Sequence, residues 1–197
     1  REFYMTSEES FNLAIEDIEH ELEDRVGWFQ EKGMEIEAYR LEGRTKFDLE
    51  MLTEIGSCKG VENYSRHFDR RSEGERSFCL LDFFSSNAER FHGGSDRYLV
   101  IMDESHVTLP QVGGMYGGDF SRKKNLVDHG FRLPSAYDNR PLRIDEFQDL
   151  VPRMLYVSAT PGERELRHLA EVTNQEVPEE LLHVGGRGGS DKPDLDK

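Results

Sequence analysis

The chain has 197 residues, enough for one domain with a sizeable core. With 36% hydrophobic and 33% charged residues it is polar, yet outside the disordered range. Its formal net charge of −15 argues against phosphate contacts spread over the whole surface, because those need Lys and Arg. The charge is unevenly placed. Residues 1–54 carry 16 acids against 6 bases, whereas residues 121–143 carry 6 bases against 2 acids, so a basic segment compatible with a nucleic-acid partner survives. Cys58 and Cys79 have no CxxC or Cys/His spacing, which points away from zinc and redox motifs and toward a reducing, cytoplasmic setting. No apolar run approaches the about 18 residues of a membrane span, and the first residues do not follow a signal-peptide pattern. No membrane partner is expected. A start at Arg1 rather than Met suggests a piece of a longer protein.

In chain order, Thr6-Ser7-Glu8-Glu9 fits a capping box with Thr6 as the cap. Phe11, Ile15, Ile18, Leu22, Val26 and Phe29 then recur at helical spacing. Gly33 breaks the pattern. A second helix carries Met34, Ala38, Leu41, Leu52 and Ile55 on one stripe, with Gly56 placed to stop it. The two form a helical hairpin, and its acidic side reads most simply as a solvated face. Cys79–Phe84 reads as a strand or a buried edge element. Tyr98–Met102 and Met154–Val157 are short continuous apolar runs, the pattern of parallel strands covered on both faces. Helices are expected near residues 111–129 and 143–150. The fold class is therefore α/β. Gly185–Ser190 is glycine-rich without a lysine or a preceding strand, and reads as a linker in a flexible tail.

Both apolar runs end in polar residues, and parallel sheets gather functional groups just beyond the carboxyl ends of their strands. After the first run come Asp103-Glu104-Ser105-His106. Adjacent acids at a strand end suit a nucleotide hydrolase, in which one carboxylate holds Mg²⁺ and the next orients the attacking water. An acidic turn after a strand is the plainer alternative. After the second run come Ser158-Ala159-Thr160, whose hydroxyls can bond the Asp/Glu/His group and pass its state to a second site. The conjunction favours the hydrolase. No G-x-x-x-x-G-K-[ST] phosphate loop occurs, so this stretch alone is expected not to hydrolyse ATP. Tyr64 beside Arg66, and Phe131 beside Arg132, suit stacking on bases and neutralising phosphates. The alternative is that both aromatics fill the core while the arginines cap helices. The histidines show no metal-ligand spacing.

Several long motifs together resemble the UvrB family of helicase superfamily 2. They are GVENYSRH at 60–67, DESHVTLP at 103–110, LVDHGFRLPS at 126–135, DNRPL at 138–142 and YVSATPG at 156–162, within a similarity running from about Phe3 to about Leu169. The resemblance implies two RecA-like motor domains, ATP and Mg²⁺ as cofactors, and damaged DNA, UvrA and UvrC as partners. It makes Asp103 and Glu104 the Walker B pair, with Asp103 the Mg²⁺ ligand. His106, Ser158 and Thr160 become coupling residues, and Tyr64, Arg66, Phe131 and Arg132 a DNA-facing set. On this reading residues 1–56 are a helical hairpin packing on the motor. Residues 57–169 are the later part of the first motor domain, with an insertion at 69–96. Residues 170–197 are a divergent tail. The alternatives are a non-catalytic DNA- or protein-binding remnant, or another superfamily 2 DNA helicase. The remnant differs from the repair ATPase in lacking a phosphate loop upstream of Arg1.

Overall fold

A computed structural model of the chain describes residues 7–173. The expected cap at Thr6 and the glycine-rich segment at 185–190 lie outside the described residues. Helix α1 (Glu8–Glu31) is capped instead by Ser7, whose hydroxyl accepts the Ser10 N–H at 3.2 Å. Glu8 and Glu9 add negative charge where the helix dipole favours it. Its buried positions, Ala14, Ile18, Leu22 and Phe29, lie on one stripe. The chain reverses at Gly33 (φ 71°), a left-handed position that costs glycine nothing. Helix α2 (Glu35–Ile55) then buries Ala38, Leu41, Leu49 and Leu52 and ends at Gly56 (φ 79°), whose N–H returns to the Leu52 carbonyl at 2.9 Å. The hairpin expected from the two apolar stripes is present.

The remaining elements are α3 (Ser65–Phe68), α4 (Leu80–His92), β1 (Val100–Asp103), α5 (Ser105–Asp128), α6 (Ile144–Leu150), β2 (Met154–Val157) and α7 (Glu163–Thr173). The chain separates into two compact units. One holds the described residues up to Phe78 together with Met115–Leu142. The other holds Cys79–Gly114 and the described residues from Arg143 onward. The first unit is helical, and the hairpin does not end it at residue 56. Its core continues from Ile18, Phe29, Leu41 and Leu52 to Cys58, Tyr64, Phe68 and Leu133. Burial, followed by the charge of Asp48, pushes the Cys58 thiol up to about 11, so it is inert packing. Gly130 (φ 68°) follows α5 so closely against the hairpin that an added Cβ would lie 2.4 Å from the Glu37 carbonyl oxygen.

The second unit contains the sheet. Strands β1 and β2 pair in parallel, with Ile101 opposite Leu155 and Asp103 opposite Val157. The described residues are mostly helical and hold a two-stranded sheet, a smaller β component than the α/β class implies. The segment read as a third strand is the start of helix α4. Asp82 at its third position accepts the Cys79 N–H at 2.7 Å, and Leu81, Phe84 and Ala88 follow at helical spacing. The sheet is not covered on both faces in this chain either. Met102 is buried, while Ile101, Leu155 and Val157, which share the opposite face, stay 61%, 48% and 42% exposed. Helix α5 begins directly after β1 rather than near residue 111, and carries Pro110 inside it.

Candidate functional site

Parallel pairing puts the carboxyl ends of β1 and β2 side by side, so the polar residues after each strand meet. Asp103 ends β1, and its Oδ1 accepts the Glu104 N–H at 3.0 Å. Glu104 has φ 45°, an uncommon left-handed conformation for a residue with a side chain, costing about 1–3 kcal/mol. That turn lets α5 start at once: the Glu104 carbonyl accepts the N–H groups of Val107 (2.9 Å) and Thr108 (3.0 Å). Both carboxylates are exposed. His106 Nδ1 lies 3.4 Å from Glu104 Oε2 and 2.8 Å from the Ser158 hydroxyl. The Ser158 oxygen in turn accepts the Thr160 N–H at 3.1 Å. A continuous polar chain thus runs Thr160, Ser158, His106, Glu104, and Thr160 joins it through its backbone.

Two residues without an assigned role in the sequence reading belong to the same cluster. Ser105, fully buried, donates its hydroxyl proton to the Glu165 carboxylate, with the Val157 carbonyl 3.3 Å from the same hydroxyl. Glu165, in the first turn of α7, accepts the Gly162 N–H with its other oxygen. Its available signal was a glutamate three positions after the Gly162 cap.

Asp103 fits a Mg²⁺ ion in one specific sense. Mg²⁺ takes oxygen ligands, usually one or two carboxylates supplemented by substrate phosphates. An exposed carboxylate at a strand end can serve as such a ligand. Among the described residues no group of three His, Cys, Asp or Glu side chains could hold an ion by protein ligands alone.

The residues expected to face DNA all belong to the helical unit and divide into two kinds. Phe131 is 43% exposed, and the Arg40 guanidinium lies 4.2 Å from its ring centroid. Arg40 is fixed there by donating to the His129 carbonyl at 2.6 Å, and Arg132, half-buried, donates to the Phe131 carbonyl at 2.8 Å. Tyr39 on α2 is 81% exposed. Tyr64 is different. It is 4% exposed and donates its hydroxyl to Asp48 at 2.9 Å, so its ring offers no stacking face in this structure. Burial, then the Asp48 charge, pushes its phenol strongly upward. Arg66 is likewise held inside, 2.8 Å from Asp138 and 3.5 Å from Glu21. The basic segment is also less free than its count implies. Arg122 and Lys123 both pair with Asp119, which lies just outside the counted window, and Lys124 pairs with Asp128.

Glu21 joins α1 to two later motifs, accepting from the Ser135 N–H at 2.6 Å and meeting His67 Nε2 at 2.7 Å. Burial pushes its carboxyl up. The hydrogen bonds from His67 and Ser135 and the His67 charge outweigh that and hold it below the usual range. A depressed carboxyl contributes stability that is complete above its ordinary pKa and lost as pH falls through the lowered one. The parent should therefore exceed Glu21→Gln in stability near pH 7, with the gap closing below about pH 4. Thermal unfolding at stepped pH checks this, and a gap independent of pH would contradict it.

Residues 9–70 match the family model of the UvrB third helical domain. Over 172 residues, 87% of this chain, it is 52% identical to UvrABC system protein B of Oceanobacillus iheyensis, of which that stretch covers 24%. It is equally similar to the protein of that name from Bacillus caldotenax, 52% identical over 87% of this chain and 25% of the relative. The protein of that name from Thermosipho africanus is 49% identical over 87% of this chain and 24% of its own length. The chain spans about a quarter of the relatives it matches. No helix of the described residues is long and apolar enough to cross a membrane.

Proposed function

Because the chain belongs to the UvrB family, we propose that it is part of the subunit that recognises and verifies DNA damage in the UvrABC nucleotide excision repair system. In this reading the complete protein is a cytoplasmic, DNA-dependent ATPase that receives damaged DNA from UvrA and passes it to UvrC for incision. The observation that carries it is the identity of about half the residues across most of the chain with proteins named for that system. The second unit is then the later part of a RecA-like motor domain, and the apolar sheet face left exposed by Ile101, Leu155 and Val157 suits helices packed on it by the remainder of the protein.

The strand-end cluster supports a division of labour. Asp103 would hold Mg²⁺, which when bound offsets charge on the nucleotide phosphates. Glu104 orients the attacking water and accepts its proton. His106 and Ser158 report the state of Glu104 to the loop after β2, through contacts of 3.4 and 2.8 Å. The phosphate-gripping residues would come from the remainder of the protein.

Phe131 and Arg132 form the DNA-facing part, with Tyr64 and Arg66 supporting the fold beneath. Base stacking on an aromatic ring is worth about 1–3 kcal/mol. In the complete protein, Phe131→Ala should weaken binding to bubble DNA roughly 5- to 100-fold. The salt dependence should not change, since no phosphate contact is lost. Fluorescence anisotropy titrations at several salt concentrations measure both. Unchanged affinity would return Phe131 to a packing role against Arg40.

A further inference from the structure

We infer that Glu165 is a positioning residue for this ATP site, fixing the turn that carries Glu104 to the loop that follows β2; the inference rests on the ATPase reading. Helices α4, α6 and α7 share one local device, a carboxylate in the first turn that accepts the N–H of the residue at the cap. Asp82 accepts from Cys79 at 2.7 Å, Glu146 from Arg143 at 2.8 Å, and Glu165 from Gly162. A local cap of this kind needs one oxygen and tolerates solvent, and Asp82 and Glu146 are half-buried. Glu165 is 5% exposed, and its second oxygen reaches a different element, the hydroxyl of Ser105, itself 0% exposed. Taking a carboxylate out of water for a cap alone would cost free energy that a solvated cap avoids.

Where the second oxygen goes gives the contact its meaning. Ser105 sits between Glu104, in its left-handed turn, and His106. A Cβ added at Gly162 would lie 3.3 Å from Glu165 Oε2 and 3.9 Å from the His106 Cβ, so the loop after β2 also lies against His106. Glu165 therefore ties that loop to the Glu104 turn from below, while Ser158 ties it to His106 from the side. With both ties in place the Glu104 carboxylate keeps one orientation, and movement of the loop reaches it.

The test uses the complete protein with damaged duplex DNA and ATP. Glu165→Gln keeps the size of the side chain and an acceptor for Gly162, and Ser105→Ala removes the tie from the other side. Each should lower kcat roughly tenfold or more while leaving KM for ATP within about twofold, since hydrogen bonds to charged groups are worth roughly a tenfold change and more. The double variant should be no worse than the more impaired single one, because both remove the same interaction. Parental kcat in both singles, or additive losses in the double, would overturn the inference. A fall in thermal stability with kcat intact would assign Glu165 to capping alone and overturn it as well. Glu104→Gln in the same assay separates the two readings. If it abolishes turnover while the Ser105 and Glu165 variants keep parental kcat, the positioning role alone fails. If it leaves turnover intact, the ATP-site reading fails beneath it.

Discussion

In the complete protein, Glu104→Gln should lower DNA-stimulated ATP turnover by roughly 10²–10⁴-fold, the usual contribution of a positioned general base. The substitution keeps shape and removes only charge and basicity. The Glu104 side chain is exposed, so folding energy should change little, and the strained φ of 45° belongs to the backbone, which glutamine retains. The loss should therefore fall on kcat, with nucleotide affinity near the parental value, since the proposed reading assigns the phosphate grip to other residues. His106 should respond too. Its Nδ1 faces Glu104 at 3.4 Å and Ser158 at 2.8 Å, so removing the carboxylate charge should move the imidazole proton resonances. Steady-state turnover together with equilibrium nucleotide binding checks the first expectation. Parental turnover would leave Asp103-Glu104 as no more than an acidic turn.

The elements that could be read from the sequence are those whose signal is local. The α1–α2 hairpin announces itself because Ile18, Leu22 and Phe29 on one helix and Ala38, Leu41 and Leu52 on the other repeat at helical spacing and stop at glycines. The meeting of the two strand ends was legible because two short apolar runs each end in polar residues, and parallel pairing then requires adjacency. What failed was set by distance in sequence or by the width of the window. Cys79–Phe84 resembles a strand only if reading stops at Phe84; extended further, Leu81, Phe84 and Ala88 recur at helical spacing, with Ala88 buried. Pro110 looks like a helix breaker, and α5 nevertheless runs through it from Ser105. Tyr64 beside Arg66 looks like a nucleic-acid motif until Asp48, 16 residues upstream, takes the phenol. No neighbour of Glu165 in sequence reveals Ser105, 60 residues earlier.

The same distance effect joins the motifs GVENYSRH and DNRPL, whose Arg66 and Asp138 meet across 72 residues of sequence. Asp138, with a side chain 5% exposed, accepts from the Arg66 guanidinium at 2.8 Å through one oxygen and from the Gly74 N–H at 2.8 Å through the other. Its carbonyl receives Arg71 at 3.1 Å and the Ser77 hydroxyl at 3.2 Å. Arg66 continues to Glu21, and Glu21 to His67 and Ser135, so one network joins α1, α3 and the 134–138 turn. Removing one member leaves a cation 16% exposed without its nearest counter-charge, which costs about 3–5 kcal/mol. Asp138→Ala in the complete protein should accordingly raise hydrogen exchange in residues 65–78 and 134–138 by roughly 10²–10⁴-fold. Asp138→Asn, which keeps two polar atoms at the site, should fall between. The exposed pair of Arg70 with Asp17 supplies the contrast. Both partners are near half exposed, and Asp17→Ala should cost less than about 1 kcal/mol. Equal effects from the two positions would mean that burial does not set the energetic weight of these charges.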